Sequence, residues 1–396
     1  MRTVTLIDTT LRDGAQAPDI QFTADDRMNI VDALYRTGVT EIEAGIPAMG
    51  NEECCIIQQI VRKYSTCHVS CWCRAKNTDI SSALETGCDT VHISFPLSDI
   101  HLSILKKDET WLFDTVLSIL KFAKSQFSRV SIGCQDATRA PLDRLIRFIK
   151  AAIAGGAFRI RIADTIGVFT PLQTFELISG ILVKVPDANL EFHAHNDLGM
   201  ATANSISAIQ AGASAVSLSV NGIGERTGNA PLEEVAIAIS RCFPDIVHGL
   251  NTYRLFELCK LVSVITGKLI SYNKPVTGEK IFTHESGIHC HGLTIDSSSY
   301  EPYDPLLAGR APSQMVAGTH SGTAGVFAML KQAGIDADRK VIASLIPAIS
   351  DEAKRMGRSL FYSEVKRLYL KMLDIKNQIS SHPDYQMLTK MVYRET

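Results

Sequence analysis

The sequence contains no uninterrupted run of about 18 apolar residues, so we expect no transmembrane helix. Its 40 basic and 42 acidic residues leave a formal net charge of −2, which gives no electrostatic reason to expect nucleic acid or an anionic membrane as a partner. The first strand-like run begins at Thr3 and leaves no room for a signal peptide before it. These absences predict a cytoplasmic protein whose partners are small molecules.

Cys-x-x-Cys pairs are also absent, although the chain has ten cysteines. Cys71, Cys73 and Cys134 fall inside apolar runs, where a thiol behaves as a small hydrophobic group. The spacing of Cys67, Cys71 and Cys73 fits no structural zinc pattern. The cysteines therefore indicate a reducing compartment rather than a disulfide framework or a zinc cluster.

Short runs of apolar and β-branched residues recur along the chain, with segments of helical periodicity between them. Strands that alternate with helices pair in parallel, and eight such units have the size of a closed (β/α)₈ TIM barrel. A doubly wound open sheet is the structural alternative, but the segment after the first run lacks the Gly-rich fingerprint of that fold. The eight predicted strands cover residues 3–7, 40–44, 68–73, 90–95, 129–134, 159–163, 189–193 and 215–220.

The alternation stops after about residue 245. An irregular, polar segment from His284 to about His320 follows one further helix, and helical periodicity returns at Ala324. We therefore predict three parts: residues 1–275 as a catalytic barrel, residues 276–323 as a linker and lid segment, and residues 324–396 as a helical C-terminal subdomain. The last two parts together form a small, mostly helical appendage.

A candidate metal site follows from the ends of two predicted strands. Asp13 comes shortly after the first strand, and the seventh strand ends in His193 and His195. Side chains at positions i and i+2 of a strand point the same way, so the two imidazoles project together. Strands seven, eight and one become neighbours when the barrel closes. Two imidazoles and a carboxylate suit a divalent metal; two unrelated histidines are the alternative.

Polar groups near the same strand ends each have two interpretations. Arg12 is either a donor to an oxygen that gains negative charge or a structural ion-pair partner at the barrel mouth. Thr165 is a candidate hydrogen-bond donor to a substrate carboxylate, whereas Asp164 equally suits a helix cap. The loop with Gly222 and Gly224 either lets the backbone approach a ligand or simply forms turns.

His284 and His289 superficially resemble the zinc motif of metalloproteases. The second histidine follows at i+5 rather than i+4, and we expect Gly287 to break the helix, so we reject that motif. We instead interpret His289 and Tyr300 as acid–base groups that the lid segment delivers over the barrel mouth. Two solvent-exposed polar residues are the alternative.

Several segments taken together resemble the isopropylmalate synthase and homocitrate synthase family. Within that family the short, nitrogen-fixation type of homocitrate synthase is most similar. The main segments are residues 8–14 with Gln16, 193–197, 222–229 and 284–289, and the supporting ones are residues 47–53, 72–74 and 300–302.

The resemblance implies a divalent cation, Mg²⁺, Mn²⁺ or Zn²⁺, held by Asp13, His193, His195 and Asn229. A 2-oxo acid would chelate this cation, deprotonated acetyl-CoA would attack the keto carbon, and water would then release CoA. The family's appendage commonly reaches over the partner's barrel, which implies a homodimer.

The resemblance also assigns roles to individual residues. It makes Arg12, Gln135, His289 and Tyr300 the catalytic set, in which Arg12 stabilises the alkoxide and His289 with Tyr300 exchanges protons. It brings Gly222 and Gly224 close to acetyl-CoA. The substrate-binding set that it implies consists of Arg12, Gln16, Glu43, His101 and Thr165.

Three positions depart from the family pattern. Gln135 stands where the family has a catalytic glutamate, and an amide cannot exchange a proton at neutral pH. Thr319 replaces a lysine, and Ala15 replaces an acidic residue. Together these departures indicate a changed acceptor or reduced activity.

We expect 2-oxoglutarate as the acceptor and homocitrate as the product. The alternative is the same chemistry on another dianionic 2-oxo acid. This acceptor would be phosphonopyruvate, which gives 2-phosphonomethylmalate, or oxaloacetate. A related barrel lyase fits less well, because such enzymes generally lack the appendage. A non-catalytic protein that binds a metal and a 2-oxo acid is the alternative from another class.

Overall fold

The computed structural model describes residues 1–381. Within them, eight parallel strands close into a barrel, and the last strand pairs with the first in the register Thr5–Ala215 to Asp8–Leu218. The predicted TIM-barrel fold is therefore confirmed. The barrel strands, named β1 to β8 in chain order, are Thr5–Asp8, Glu41–Gly45, His68–Arg74, Thr90–Pro96, Arg129–Gln135, Arg159–Asp164, Leu190–Ala194 and Ala215–Leu218.

Side-chain alternation explains how each strand serves both the fold and the site. In β6, Ile160 and Ile162 are fully buried on one face, whereas Arg159 and Arg161 alternate with them and form ion pairs with glutamates of other barrel strands. Successive side chains of a strand point to opposite faces, so the isoleucines face the helices and the arginines face the barrel interior.

The helices around the barrel begin and end where the local sequence dictates. The first begins at a capping box of Thr23 and Asp26 and ends at Gly38 in the left-handed conformation. A short parallel strand pair, Arg2–Thr3 with Ile246–Val247, lies outside the barrel sheet. The helices are Ala24–Thr37, Asn51–Lys63, Asn77–Glu85, Asp99–Ile104, Glu109–Gln126, Leu142–Ala154, Pro171–Lys184, Ala201–Ala211, Leu232–Cys242 and Leu255–Thr266.

The described part of the chain divides into two compact units, one of residues 1–278 with 307–309 and one of residues 279–306 with 310–381. The second unit contains a short parallel strand pair and a hydrophobic core that includes Ile342, Leu345 and Ile349. Residues 382–396 of the predicted C-terminal subdomain lie outside the described residues. The helices of this unit are Gly287–Ile295, Thr323–Gln332, Arg339–Met356 and Tyr362–Ser381.

The expectation of an irregular segment from His284 to His320 was partly wrong. Gly287 begins a helix, Gly287–Ile295, instead of breaking one. Ser286 precedes it in an extended conformation, and the first N–H groups of any helix lack intrahelical partners, so glycine is tolerated there. His284 lies on the strand Thr283–His284 and His289 on the helix, which agrees with the rejection of a helical metalloprotease motif.

Among the described residues, no helix combines the length and the apolar character needed to cross a membrane.

Candidate active site

The loops that follow the carboxyl ends of the barrel strands surround a cavity of about 220 Å³. We call it the mouth cavity. Half of the predicted site residues line this cavity, at the end of the barrel where chemistry is expected for this fold. They are Arg12, Asp13, Gln16, Gln135, Thr165, His193 and His195.

Asp13, His193 and His195 form a compact cluster of metal-binding atoms. His193 Nε2 lies 3.0 Å from Asp13 Oδ2 and 3.3 Å from His195 Nε2. All three side chains are buried, and one donor atom from each lies within 4.8 Å of the others. His193 lies on β7 and His195 directly follows the strand, and the alternation of side chains brings the two imidazoles together as predicted.

The charges in this cluster suit a cation. Burial acts to raise the pKa of Asp13, but the charge of Arg12 and the contact with His193 outweigh it and hold that pKa well below its usual range. Burial, followed by repulsion from His193, lowers the pKa of His195 to about 3. An ionised carboxylate and a neutral imidazole are the protonation states that bind a metal.

Asn229 supplies an independent test of whether a metal fits. Its backbone forms a bridge with His195, and its Nδ2 donates to the carbonyl oxygen of Ile223 at 3.1 Å. Its Oδ1 is buried and has no hydrogen-bond partner among the described residues. A buried carbonyl oxygen without a partner is costly, and a metal ion would satisfy it. The four predicted ligands therefore fit a divalent cation, although this donor set does not distinguish Mg²⁺, Mn²⁺ and Zn²⁺.

The position of Arg12 agrees with both interpretations from the sequence, an ion-pair partner and a donor at the site. It forms ion pairs with Glu43 and, at 3.2 Å, with Asp13 Oδ2, and it also lines the mouth cavity. It is only 8% exposed, so its guanidinium is held in one orientation in a buried setting. A fixed cation at this position is suited to stabilise negative charge that develops on a bound molecule.

Thr165 and Asp164 divide two tasks at the end of β6. Thr165 Oγ1 accepts a hydrogen bond from the Asp136 N–H at 2.8 Å, which leaves its own O–H free to donate into the mouth cavity. Asp164 accepts from the N–H groups of Val168 and Phe169, and from Thr138 Oγ1 at 2.9 Å. Asp164 therefore organises the loop before the next helix.

The remaining predicted residues lie outside the mouth-cavity lining. Glu43 is fully buried and bound by Arg12 and Arg161, and His101 Nε2 lies 4.0 Å from Asp136 Oδ2. Gly222 and Gly224 line a separate cavity of about 210 Å³, to which Lys268 also contributes.

His289 and Tyr300 belong to the second compact unit. Their rings stack with centroids 4.1 Å apart and an interplanar angle of 25°. The two predicted acid–base groups therefore form one pair within that unit.

Sequence reasoning missed a network of ion pairs inside the barrel. Arg161 pairs with Glu43 and Glu191, and Arg159 pairs with Glu41 and Glu191. Arg161 also lines the mouth cavity, so the network reaches the site. The alternation of charged residues with isoleucine in β2 and β6 is the signal that indicates inward-facing charges.

Arg226, also missed, holds the loop after β8 against the loops of neighbouring strands. Its guanidinium binds both carboxylate oxygens of Asp197, at 2.8 and 2.9 Å, and donates to the carbonyl oxygen of Thr165 at 2.8 Å. Arg226 has a φ of 57°, an uncommon value for a residue other than glycine. Three loops at the mouth cavity are thereby fixed relative to one another.

Comparison with known proteins agrees with this architecture. Residues 3–262 match the HMGL-like family model, and residues 276–357 match the model described as homocitrate synthase post-HMGL domain-like. A 2-isopropylmalate synthase from Caldanaerobacter subterraneus is 37% identical over 92% of this chain and 95% of its own. A homocitrate synthase from Frankia sp. is 39% identical, with 90% and 88% covered. A 2-phosphonomethylmalate synthase from Streptomyces rubellomurinus is 35% identical, with 92% and 98% covered.

The chain therefore belongs to the HMGL-like family. It is an enzyme of the acyltransferase type, as its synthase relatives are, and the expectation of an enzyme is confirmed.

Proposed function

We propose that this enzyme condenses acetyl-CoA with a 2-oxo acid that carries a second anionic group, with 2-oxoglutarate as the first candidate and homocitrate as its product. The observation that carries the proposal is the mouth cavity. There the Asp13, His193 and His195 cluster lies beside Arg12, Thr165 and Gln135. The match to a homocitrate synthase post-HMGL domain supports the same chemistry, because it links the barrel to a condensing synthase.

A divalent cation held by Asp13, His193, His195 and Asn229 would supply Lewis-acid polarisation of the keto group. The chain's own residues would position the acceptor. Thr165 O–H donates to the acceptor's carboxylate, and Arg12 donates to the keto oxygen as that oxygen gains negative charge.

The reaction forms one carbon–carbon bond and breaks one thioester. The methyl carbon of acetyl-CoA loses a proton and attacks the keto carbon, and the keto oxygen ends as a hydroxyl group. Water then cleaves the thioester and releases CoA. His289 and Tyr300, stacked in the second unit, are the proposed acid–base groups for these proton transfers. The proposal also includes the expected homodimer, in which one subunit's pair serves its partner's barrel.

The cavity beside Gly222 and Gly224 is the proposed place for the CoA portion. The backbone of this loop is accessible there, and Lys268 offers a cation for a phosphate group. The two cavities adjoin at Arg226 of the same loop, which lines both of them. CoA bound in this position would therefore place its thioester near the mouth cavity.

Phosphonopyruvate is the second candidate acceptor, and oxaloacetate is a further dianionic one. Gln135 favours phosphonopyruvate, whose phosphonate carries extra negative charge, because an amide in place of a carboxylate removes a negative charge from the cavity wall. A relative named 2-phosphonomethylmalate synthase, 35% identical over 92% of this chain, supports this candidate.

The proposal is tested by CoA release with a panel of 2-oxo acids. Purified enzyme is mixed with acetyl-CoA, Mg²⁺, Mn²⁺ or Zn²⁺, and one acceptor at a time, and free thiol is measured with a chromogenic disulfide. We expect release that depends on both metal and acceptor, fastest with a dianionic acceptor. Faster release with 2-oxoisovalerate, or release that needs no acceptor, would contradict the proposal.

A further inference from the structure

The floor of the mouth cavity is formed by side chains that the reaction scheme above does not use. Ser94 of β4 is the register partner of Gly133 of β5, and Gly133 is the partner of Arg161 of β6. All three line the cavity, as does His92, two residues before Ser94 on the same strand. We call His92, Ser94, Gly133 and Arg161 the cavity floor.

Gly133 creates the space that His92 occupies. A Cβ atom on Gly133 would lie 2.5 Å from His92 Nε2, too close for any side chain at this position while the imidazole keeps its place. Ser131 Oγ lies 2.9 Å from His92 Nδ1 and fixes the ring from the other side. Burial, followed by repulsion from Arg161, lowers the pKa of His92 well below its usual range. The floor therefore presents a neutral, oriented imidazole.

Arg161 contributes a positive charge with an unused donor. Only 4% of Arg161 is exposed; its Nε binds Glu191 and its Nη2 lies 2.6 Å from Glu43 Oε2. Its Nη1 has no hydrogen bond to any other residue in the described part of the chain. Arg12 and Arg161 share Glu43, and each also has a second carboxylate partner, Asp13 for Arg12 and Glu191 for Arg161. The donor of Arg161 that remains for an oxygen atom of a bound acceptor is therefore Nη1.

We infer that the cavity floor binds the distal end of the 2-oxo acid and that Arg161 selects acceptors whose distal group is an anionic oxygen acid, a carboxylate or a phosphonate. This inference rests on the proposed function. Arg12 and Thr165 hold the reacting end of the acceptor at the mouth, and the floor receives the other end. An acceptor with an apolar, branched end would cover the Arg161 Nη1 and the Ser94 hydroxyl group without accepting a hydrogen bond from them. Burying unpaired donors costs binding free energy, and enzymes reject analogues of the substrate by this cost.

Arg161→Lys tests the inference, with Arg159→Lys as the matched control. Both arginines are buried and paired with interior glutamates, but Arg159 does not line the cavity. Kinetics compare 2-oxoglutarate with 2-oxopentanoate, which has the same carbon skeleton and no distal carboxylate. We expect Arg161→Lys to lower kcat/KM for 2-oxoglutarate by about 10- to 100-fold, mainly through KM, since a hydrogen bond to a charged group is lost. The 2-oxopentanoate value should change less than about threefold, and Arg159→Lys should leave the ratio of the two values intact.

Equal losses for both acceptors in Arg161→Lys, or the same change of ratio in Arg159→Lys, would overturn the inference. The wild-type rates with 2-oxoglutarate, oxaloacetate and phosphonopyruvate show which dianion is used. A preference for any of the three over 2-oxopentanoate supports the inference. If wild-type enzyme releases no CoA with any acceptor, the proposed function fails. The rise in Tm caused by each ligand then decides the inference. 2-Oxoglutarate should raise the Tm of the wild type more than 2-oxopentanoate does, and this difference should vanish in Arg161→Lys.

Ser94→Ala keeps the inference falsifiable if Arg161→Lys does not fold. It removes a hydroxyl group from the floor, adds no atom that could crowd the acceptor, and disturbs no ion pair. We expect it to lower the preference for 2-oxoglutarate over 2-oxopentanoate by at least about fivefold, since one hydrogen bond is lost. An unchanged preference would overturn the assignment of the floor to the distal group.

Discussion

Gln135 ends strand β5 and lines the mouth cavity at a position where the family resemblance leads us to expect a glutamate. If the chain uses an acceptor with extra negative charge, a carboxylate at 135 repels it. We predict that Gln135→Glu lowers turnover of phosphonopyruvate by about tenfold or more and spares or improves turnover of 2-oxoglutarate. Steady-state kinetics of both proteins on both acceptors measure this.

Two other results would give Gln135 a different meaning. A rescue of 10²- to 10⁴-fold on 2-oxoglutarate by Gln135→Glu would indicate a lost proton-transfer group. Equal, fast turnover of 2-oxoglutarate by both proteins, with none on phosphonopyruvate, would refute a changed acceptor.

The metal cluster makes a prediction that does not depend on the acceptor. Chelation of the enzyme should abolish CoA release, and His193→Ala should lower it by at least about 10³-fold, because a metal ion contributes several kcal/mol to such a reaction. Metal content measured by mass spectrometry should fall in parallel, and circular dichroism should stay unchanged. Full activity of protein shown to contain no metal would contradict the site.

Asp8 predicts a pH dependence of folding stability. Burial, with a smaller contribution from the charge of Glu233, raises its pKa from 3.8 to about 7 against the hydrogen bonds from Thr10. Between these values the folded state holds a proton that the unfolded state has lost, so this contribution to stability falls as the pH rises from about 4 to 7, by on the order of 4 kcal/mol.

Asp8→Asn isolates this effect, because asparagine resembles the protonated carboxyl group. Urea unfolding at pH 5 and pH 7.5 should show the variant gaining stability relative to wild type at the higher pH. A difference between the two proteins that does not change with pH would show that Asp8 does not titrate in this range.

The sequence predicted the metal cluster but not the cavity floor, and the reason is physical. The spacing of two histidines at i and i+2 on a strand already implies that their side chains point the same way. Closure of the barrel then brings Asp13, which follows the first strand, close to them. Arg161 acquires its position from Glu43 and Glu191, which lie on other strands. Such contacts require the register of the closed sheet, which a single sequence does not specify.

At the scale of elements, the helix Gly287–Ile295 determines where His289 and Tyr300 meet. A Cβ atom on Gly292 would lie 2.6 Å from Tyr300 Cε2, so Gly292→Ala must displace the tyrosine ring. We predict a loss of kcat on the order of 10²-fold, since misplacement of a catalytic group by about 1 Å has that effect. Alanine is a better helix former than glycine, so a weaker helix would not explain the loss.

Gly180→Ala is the matched control for this prediction. Gly180 also lies inside a helix, Pro171–Lys184, but a Cβ atom there meets nothing within 4 Å. It should leave kcat unchanged. Equal activity of wild type and Gly292→Ala would remove the His289 and Tyr300 pair from the proposed mechanism.

The elements themselves were largely predictable. Each of the eight predicted strands corresponds to one barrel strand, because a buried parallel strand is a short β-branched run between helical segments. The helix Gly287–Ile295 was not predicted, because its glycines and polar residues interrupt the apolar pattern of a helix. Tertiary contacts, such as the packing of Tyr300 against Gly292, support this helix where its intrinsic propensity does not.

At the scale of the whole molecule, the barrel interior is built to hold charge. Its glutamates and arginines are paired with one another, and breaking such buried pairs is costly even where forming them adds little to stability. The pairs hold Arg12 and Arg161 at the mouth cavity, which the proposed metal ligands Asp13, His193 and His195 also line. Under the proposed function, a cavity floor that carries a cation suits an acceptor with two anionic ends.

The most direct test of this account follows the acetyl carbon itself. Enzyme, metal and 2-oxoglutarate are incubated with acetyl-CoA labelled with ¹³C at the methyl carbon, and the products are identified by NMR and mass spectrometry. The account predicts that the label appears in a new methylene group next to a tertiary alcohol carbon, with one CoA released per product. Label recovered as free acetate, or left in acetyl-CoA with this and every other dianionic 2-oxo acid, would contradict it.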